Sequence, residues 1–302
     1  MATTDSYHRP VLVDEAIGFL VTRRDGVYVD ATAGGGSHTL AILSQLRPSG
    51  RVLAIDRDDE AIEAVSHRVA RFASQVALVR GEFASLKELA FDAGITRVNG
   101  VLFDLGVSGH HLDRPDRGFS YRSAGPLDFR MDRRAGKTAA NVINESSADE
   151  LARMFFEYGE EKNARKIARA IVEARRRSPL TTTDELATVI ASVTNPRYLN
   201  KTLSRTYQAI RLVVNDELNQ LQGGLDAAYD LLDALGRLVV ISYHSLEDRI
   251  VKNFIRDKKL RTVNEAAHGL RPLTKKPVTA SEEEIRMNPR ARSAKLRAAE
   301  RV

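Results

Sequence analysis

The stretch Asp30-Ala31-Thr32-Ala33-Gly34-Gly35-Gly36-Ser37-His38-Thr39 constrains this chain more than any other. Before it, Val27-Tyr28-Val29 is a short β-branched and aromatic run, the pattern of a buried strand. After it, Leu40 to Leu46 reads as a helix closed by Pro48 and Gly50. A strand, a glycine turn and a helix start form a corner where free backbone N–H groups point at a phosphate or nucleoside. A second apolar run, Arg51 to Ile55, ends in Asp56. Asp56 lies twenty positions past Gly36, where a doubly wound sheet places the carboxylate that grips ribose hydroxyls. The dinucleotide fingerprint wants a third glycine three positions after the second. Here that position is Thr39, which argues against NAD and favours S-adenosylmethionine as cofactor.

The pattern continues down the chain. Pro10 is expected to open a helix over Val11 to Leu20. Ala61, Ile62, Val65 and Val69 repeat at helical spacing. Gln75 to Arg80 reads as a third strand, ending in Gly81-Glu82-Phe83. Phe83 is placed either to stack on an adenine ring or to pack in the core. A further helix stops at Gly94, and Asn99 to Gly106 is the fourth strand, with Asp104 near its end. This strand–helix alternation predicts an α/β fold with a parallel, doubly wound sheet. Asp30, Asp56, Glu82, Phe83 and Asp104 fall at the carboxyl ends of its strands, the rim where such sheets bind ligands.

From Val107 to Arg134 the alternation gives way to a long loop rich in Gly, Asp, Arg and Pro. Adjacent His110 and His111 lack further ligands at metal spacing, so no metal is expected. Helices follow, with capping boxes at Ser147-Ala148-Asp149-Glu150 and Thr182-Thr183-Asp184-Glu185. A small all-helical domain is therefore expected at 110–209, inserted between 1–109 and 210–302 of the sheet domain. Arg205 opens the returning helix, and Gly223-Gly224 is expected to break its continuation. Gly236 to Ser242 is the fifth core strand and leads into Tyr243-His244-Ser245-Leu246-Glu247-Asp248. That block lacks the Gly-x-Ser-x-Gly elbow a hydrolase needs.

Charge is unevenly placed. From Arg249 to Val302 there are fifteen Lys and Arg against six Asp and Glu. The chain total is +6, so the remainder is slightly acidic. A basic, partly irregular tail suggests a polyanionic partner, or simply a solvated surface. Cysteine is absent, which removes disulfides, thiolate metal sites and any cysteine nucleophile. No apolar run approaches a membrane span and the first residues carry no signal pattern, so a cytoplasmic protein is expected.

Several blocks together resemble one family, the bacterial 16S rRNA (cytosine-N4)-methyltransferases. They are His8-Arg9-Pro10-Val11-Leu12, Asp30-Ala31-Thr32, Ala54-Ile55-Asp56-Arg57-Asp58, Asp104-Leu105-Gly106-Val107-Ser108, Arg117-Gly118-Phe119-Ser120 and Gly125-Pro126-Leu127-Asp128. Further blocks are Arg205-Thr206-Tyr207-Gln208-Ala209-Ile210-Arg211, Ser242 to Arg249 and Asn288-Pro289-Arg290-Ala291-Arg292-Ser293. The resemblance runs almost end to end. It implies a Rossmann-like, class I S-adenosylmethionine-dependent methyltransferase domain with a helical insert. The implied substrate is a decoding-centre cytidine of 16S rRNA, position 1402 in rRNA numbering, in an assembled or assembling small ribosomal subunit.

The family's cofactor contacts map onto Gly36, Ser37 and His38, with Gly34 in the same corner, then Asp56, Phe83, Asp104 and His111. Two positions depart from the family pattern. Ser37 stands where Gly is usual in Gly-Gly-His-Ser, and His111 where Gln is commoner. Arg205, Tyr207, Arg211, His244, Arg290 and Arg292 are the substrate candidates. Asp104 is the catalytic candidate, orienting the poorly nucleophilic exocyclic amine, the cofactor, or both. Lack of cysteine fits N rather than C5 methylation, since C5 attack usually needs a covalent cysteine adduct. A nicotinamide oxidoreductase and a non-catalytic rRNA-binding or assembly protein are the alternatives.

Overall fold

The structure, a computed structural model, describes residues 10–134, 136–259, 261–263 and 266–302. The His8-Arg9 part of the opening motif lies outside the described residues. In chain order the first elements are α1 (Val13–Leu20), β1 (Val27–Asp30), α2 (Ser37–Gln45), β2 (Arg51–Asp56), α3 (Asp59–Arg68), β3 (Val76–Arg80), α4 (Leu86–Asp92) and β4 (Val98–Asp104). Helices α5 (Gly109–Asp113), α6 (Ala139–Glu145), α7 (Ala148–Glu157), α8 (Ala164–Arg175), α9 (Thr183–Val193) and α10 (Leu199–Val214) follow. The chain ends with α11 (Glu217–Leu231), β5 (Leu232–Ser242), α12 (Ser245–Asp257), β6 (Arg261–Val263), β7 (Ala266–His268), β8 (Leu270–Pro272), α13 (Glu282–Met287) and β9 (Lys295–Arg301). Two compact units result: Met1–Gly106 with Leu218–Val302, and Val107–Glu217. Among the described residues no helix is long and apolar enough to cross a membrane.

The first unit is built on a seven-stranded sheet of order β3-β2-β1-β4-β5-β9-β8. Strands β1 to β5 run parallel; β9 pairs antiparallel with β5, and β8 antiparallel with β9. Alternate side chains face opposite sides, as a pleated strand requires. Val29, Leu53, Val101, Phe103 and Val240 pack with helices α4, α11 and α12 on one face. Tyr28, Val52, Ala54, Leu102, Val239 and Ile241 pack with α1, α2 and α3 on the other. Both faces being covered explains why these strands read as near-continuous apolar runs.

Two sequence expectations are corrected here. The carboxyl-terminal stretch, expected as a basic and partly irregular tail, is in part sheet, because β9 lies between β5 and β8. Its small apolar residues Leu296, Ala298 and Ala299 are fully buried, a signal hidden by the interleaved Lys295, Arg297 and Arg301. Those charges are held internally. Arg297 and Lys295 pair with Asp248, and Arg301 binds the Tyr229 and Leu232 carbonyls. Gly223-Gly224 does not break its helix either, since α11 runs through both. A Cβ on Gly224 would lie 2.8 Å from Phe83 and 3.1 Å from Phe103, so this glycine serves close packing rather than a turn.

The second unit closes a core of its own. Leu151, Phe155, Ile167, Ile171, Leu186, Ile190 and Ile210 are buried together. Both expected capping boxes are present, at Ser147 for α7 and Thr182 for α9. Asp128 and Arg130 form a bidentate pair at 2.8 and 2.9 Å within the loop before α6.

Candidate active site

The order of the sheet reverses at β1, which has β2 on one side and β4 on the other. The carboxyl ends of β1 and β4 therefore flank the crevice where open α/β sheets bind ligands. The glycine corner leaves β1 at this point. Gly36 has φ +78°, and a Cβ there would meet Val65 of α3 at 3.3 Å. Conformation and space thus both call for glycine immediately before α2. The first N–H groups of α2 have no partners within the helix and carry the positive end of its dipole. Ser37 begins that turn, its hydroxyl accepting from the Arg68 guanidinium.

His38 and Thr39 turn inward, at 5% and 0% exposure. The Thr39 hydroxyl donates to Asp30 Oδ2 at 2.6 Å, and the Thr32 N–H donates to Oδ1 at 3.3 Å. Asp30 is fully buried and braces the corner from inside rather than facing the rim. Burial pushes its carboxyl above the ordinary range, opposed by His38 and by the hydroxyl and N–H donors. The Thr32 hydroxyl in turn accepts from the Asp104 N–H at 2.6 Å, locking the corner to the end of β4.

Asp56 ends β2, half-buried. Its Oδ2 accepts from Gly34 N–H at 2.8 Å and its Oδ1 from Asp58 N–H at 2.9 Å. Two backbone donors fix the orientation of the carboxylate. Glu82 lies 3.5 Å from Arg57 and accepts from Gln220 at 2.6 Å. Phe83 meets Phe103 edge to face, with centroids 5.6 Å apart, yet stays partly buried rather than enclosed.

Asp104 ends β4 with 23% of its side chain accessible. Its Oδ1 accepts from the Tyr243 hydroxyl at 2.8 Å, and its Oδ2 lies 3.4 Å from His38 Nδ1. The other ring nitrogen of His38, Nε2, is 3.2 Å from the Val11 carbonyl. Burial raises the Asp104 carboxyl above its ordinary range, Asp30 and Glu247 add to this, and His38 and Tyr243 oppose it. Tyr243 was not among the residues singled out from sequence. Its signal was its place directly after β5, at the same rim as Asp104.

His244 caps α12 rather than facing outward. Its Nδ1 accepts the Glu247 N–H at 3.4 Å, while Glu247 Oε2 accepts from Tyr243 and His244 N–H groups at 2.9 and 3.3 Å. His244 Nε2 lies 3.1 Å from Glu247 Oε1 but out of hydrogen-bonding line. The Tyr-His-Ser-Leu-Glu-Asp block is thus a capping box that aims Tyr243. Arg290 and Arg292 are exposed on the 3₁₀ segment Pro289–Ser293, which Asn288 caps and buried Ala291 anchors.

In the helical unit, Tyr207 is buried, donates to the Thr183 carbonyl and packs on Phe129 and Tyr121. Arg211 forms a bidentate pair with Glu217 at 2.8 and 2.9 Å. Both side chains are therefore committed inside this unit. Arg205 is partly exposed and lies 3.7 Å from buried Glu161. His111 is 6% exposed, its ring 5.0 Å from that of Phe119. Of the basic run on α8, Arg175 binds the Ile143 and Ser146 carbonyls and Arg176 pairs with Glu173. Arg165, Lys166 and Arg169 stay exposed. Among the described residues no group of three or more His, Asp or Glu is placed to hold a metal.

The corner suits a nucleoside carrying a ribose diol. Bare backbone at Gly34 and Gly36, the amino end of α2 and the fixed Asp56 carboxylate supply the contacts such a ligand needs. Comparison with known proteins agrees. A sequence profile of the MraW methylase family matches residues 5–302. A ribosomal RNA small subunit methyltransferase H from Chloroherpeton thalassium is 46% identical, covering 99% of this chain and 100% of its own. Proteins of the same name from Chlorobium luteolum (44% identical, 99% and 97% covered) and Thermomicrobium roseum (46%, 98% and 94%) are similar throughout.

Proposed function

The chain belongs to the MraW methylase family and is an S-adenosylmethionine-dependent methyltransferase, and we propose that it methylates the exocyclic N4 of a decoding-centre cytidine in 16S rRNA. Family membership sets aside the nicotinamide oxidoreductase and the non-catalytic assembly protein. The relatives' name supports ribosomal RNA of the small subunit as the substrate class. The observation that carries the choice of atom is Asp104, a half-open carboxylate at the switch point. The Tyr243 hydroxyl donates to it from beyond β5, and His38 of α2 lies 3.4 Å away.

S-adenosylmethionine supplies an electrophilic methyl carbon on a sulfonium. Asp56 would hold the ribose hydroxyls, the α2 start and the Gly34–Gly36 backbone the rest of the nucleoside, and Phe83 a face of the adenine. The amine lone pair of cytosine is delocalised into the ring. Asp104 accepts from an amine N–H and turns that lone pair toward the methyl group. As N4 takes the methyl carbon, the carbon–sulfur bond would break with its electron pair left on the departing thioether, and N4 would shed a proton, which Asp104 takes or passes to solvent. A carboxyl pushed upward by burial is a better proton acceptor than an ordinary aspartate. Reaching this pocket requires the cytidine to leave its stack. Arg165, Lys166 and Arg169 on α8 and Arg290 and Arg292 after α13 would hold phosphates. We take the substrate to be the assembled or assembling small subunit in the cytoplasm, with the target at position 1402.

Incubation with methyl-labelled S-adenosylmethionine and small subunits lacking the modification tests this. Label should appear in N4-methylated cytidine by nucleoside mass spectrometry. Label in 5-methylcytidine, or none in RNA, would overturn the reading.

A further inference from the structure

We propose that Tyr243 is a positioning residue for methyl transfer, its hydroxyl fixing the carboxylate that addresses the amine. The inference rests on the reading of Asp104 given above. Tyr243 directly follows β5, and the Glu247 capping box holds its backbone N–H. Its ring packs against the cluster that includes Leu12, Ile241 and Ala291. From there the hydroxyl donates to Asp104 Oδ1 at 2.8 Å.

The other side of the carboxylate explains why this donor matters. His38 Nε2 faces the carbonyl of Val11, which can only accept, so Nε2 carries hydrogen. His38 Nδ1 lies farther off, 3.4 Å from Asp104 Oδ2. The Tyr243 hydroxyl makes the shorter contact, donating to Oδ1 at 2.8 Å, and keeps the carboxylate in one rotamer. That rotamer leaves Oδ2 beside His38, toward the glycine corner, and the accessible edge for the amine.

The local backbone is built around the same contact. Leu12 is buried in the left-handed region at φ 53°, uncommon for a branched side chain. Its N–H donates to Glu284 Oε1 at 2.7 Å. Glu284 thereby holds the turn that presents the Val11 carbonyl to His38. The groups facing Asp104 are His38 on α2, Asp30 on β1, and Tyr243 and Glu247 beyond β5; Glu247 and Glu284 face Tyr243. Burial first, then Asp104 itself and the two glutamates, raise the Tyr243 hydroxyl well above its ordinary value, so it remains a donor.

Tyr243→Phe keeps the ring in its cluster and removes the donor. Turnover at saturating substrates should fall about tenfold to a hundredfold, the loss that follows a misplaced reacting group. S-adenosylmethionine affinity should stay within about twofold. The second readout needs no cofactor. A hydroxyl donor favours the ionised carboxylate, so its loss should move the Asp104 carbon-13 titration midpoint to higher pH in the free protein. Unchanged turnover, or an unmoved midpoint with only a lower melting temperature, would overturn the proposal. Asp104→Asn assayed in parallel separates the two readings. If it retains wild-type turnover, the role given to Asp104 fails. If it is inactive while Tyr243→Phe turns over normally, only the role of Tyr243 fails.

Discussion

The carboxylate of Asp56 accepts a hydrogen bond from the backbone N–H of Gly34, 2.8 Å away, tying the end of β2 to the glycine corner. The residue expected to grip the ribose therefore also shapes the loop that receives the rest of the nucleoside. Asp56→Ala removes both contributions. S-adenosylmethionine affinity should fall by about 1.5–3 kcal/mol, the range for hydrogen bonds to a charged group. Asp56→Asn keeps an acceptor for Gly34 and should lose less. Calorimetry that finds the alanine variant binding like wild type would remove Asp56 from the cofactor site.

Asp104→Asn sets stability against activity. Turnover should drop at least about a hundredfold, since the amide cannot take a proton. Stability should move the other way. Burial raises the folded-state carboxyl above its unfolded value, so the folded protein binds this proton more tightly. Stability from this group is therefore present at low pH and lost as pH rises through the raised value. An uncharged amide can still accept from Tyr243 and escapes that loss. The variant should melt above wild type at pH 8, with the gap shrinking as pH falls toward 4. A lower melting temperature at pH 8 would show that the carboxylate stabilises the fold.

Much of this was legible because the signals are local. Val27–Asp30, the glycine corner and Asp56 declare themselves by strand pattern, spacing and residue type. Capping boxes at Ser147 and Thr182 were readable because each is a four-residue pattern. The residues that sequence missed depend on distant partners. Gly224 looks like a helix breaker until Phe83 and Phe103, more than a hundred positions earlier, fill the space beside it. Arg297 looks like a solvated tail charge until Asp248 receives it at 2.7 Å. Tyr207 and Arg211 sit in a motif that reads as substrate contact, yet their polar groups serve the helical unit's own core and turn.

The two helix glycines should respond oppositely to alanine. Gly18 lies in α1 with nothing within 4 Å of a Cβ, so Gly18→Ala should stabilise by about 0.5–1 kcal/mol through helix propensity. Gly224→Ala gains the same propensity but drives a methyl into Phe83 and Phe103. Overpacking of about 1–3 kcal/mol should win, giving net destabilisation. Because Phe83 is the displaced ring, cofactor affinity should weaken too. Chemical denaturation reads both signs, and a stabilised Gly224→Ala would mean that the aromatic pair repacks freely.

The cations that hold RNA should separate from the cations that hold the fold. On α8, Arg165, Lys166 and Arg169 lie on the polar side, opposite buried Ile167, Ala168 and Ile171. Phosphate contacts release counterions, so each one lost should lower the slope of log affinity against log salt by about 0.7 for a single strand. The triple alanine variant should lose about two units of slope on the ribosomal substrate, keeping its melting temperature and S-adenosylmethionine affinity. Arg290→Ala with Arg292→Ala should lose about 1.4 units on the same terms, since both side chains are exposed. Arg297 provides the contrast within the same basic segment. At 12% exposure it pairs with Asp248 on α12, holding that carboxyl below its ordinary range against the upward push of burial. Arg297→Ala should cost about 1–3 kcal/mol of stability by leaving a half-buried carboxylate with only the more distant Lys295 as partner, while the salt slope stays at the wild-type value. The pair's contribution is present above the unfolded carboxyl value and lost as pH falls through the lowered folded one, so the penalty should fade in acid. If Arg290 and Arg292 instead behave like Arg297, with a fallen melting temperature and an unchanged salt slope, the Pro289–Ser293 segment is part of the fold and not of the RNA surface.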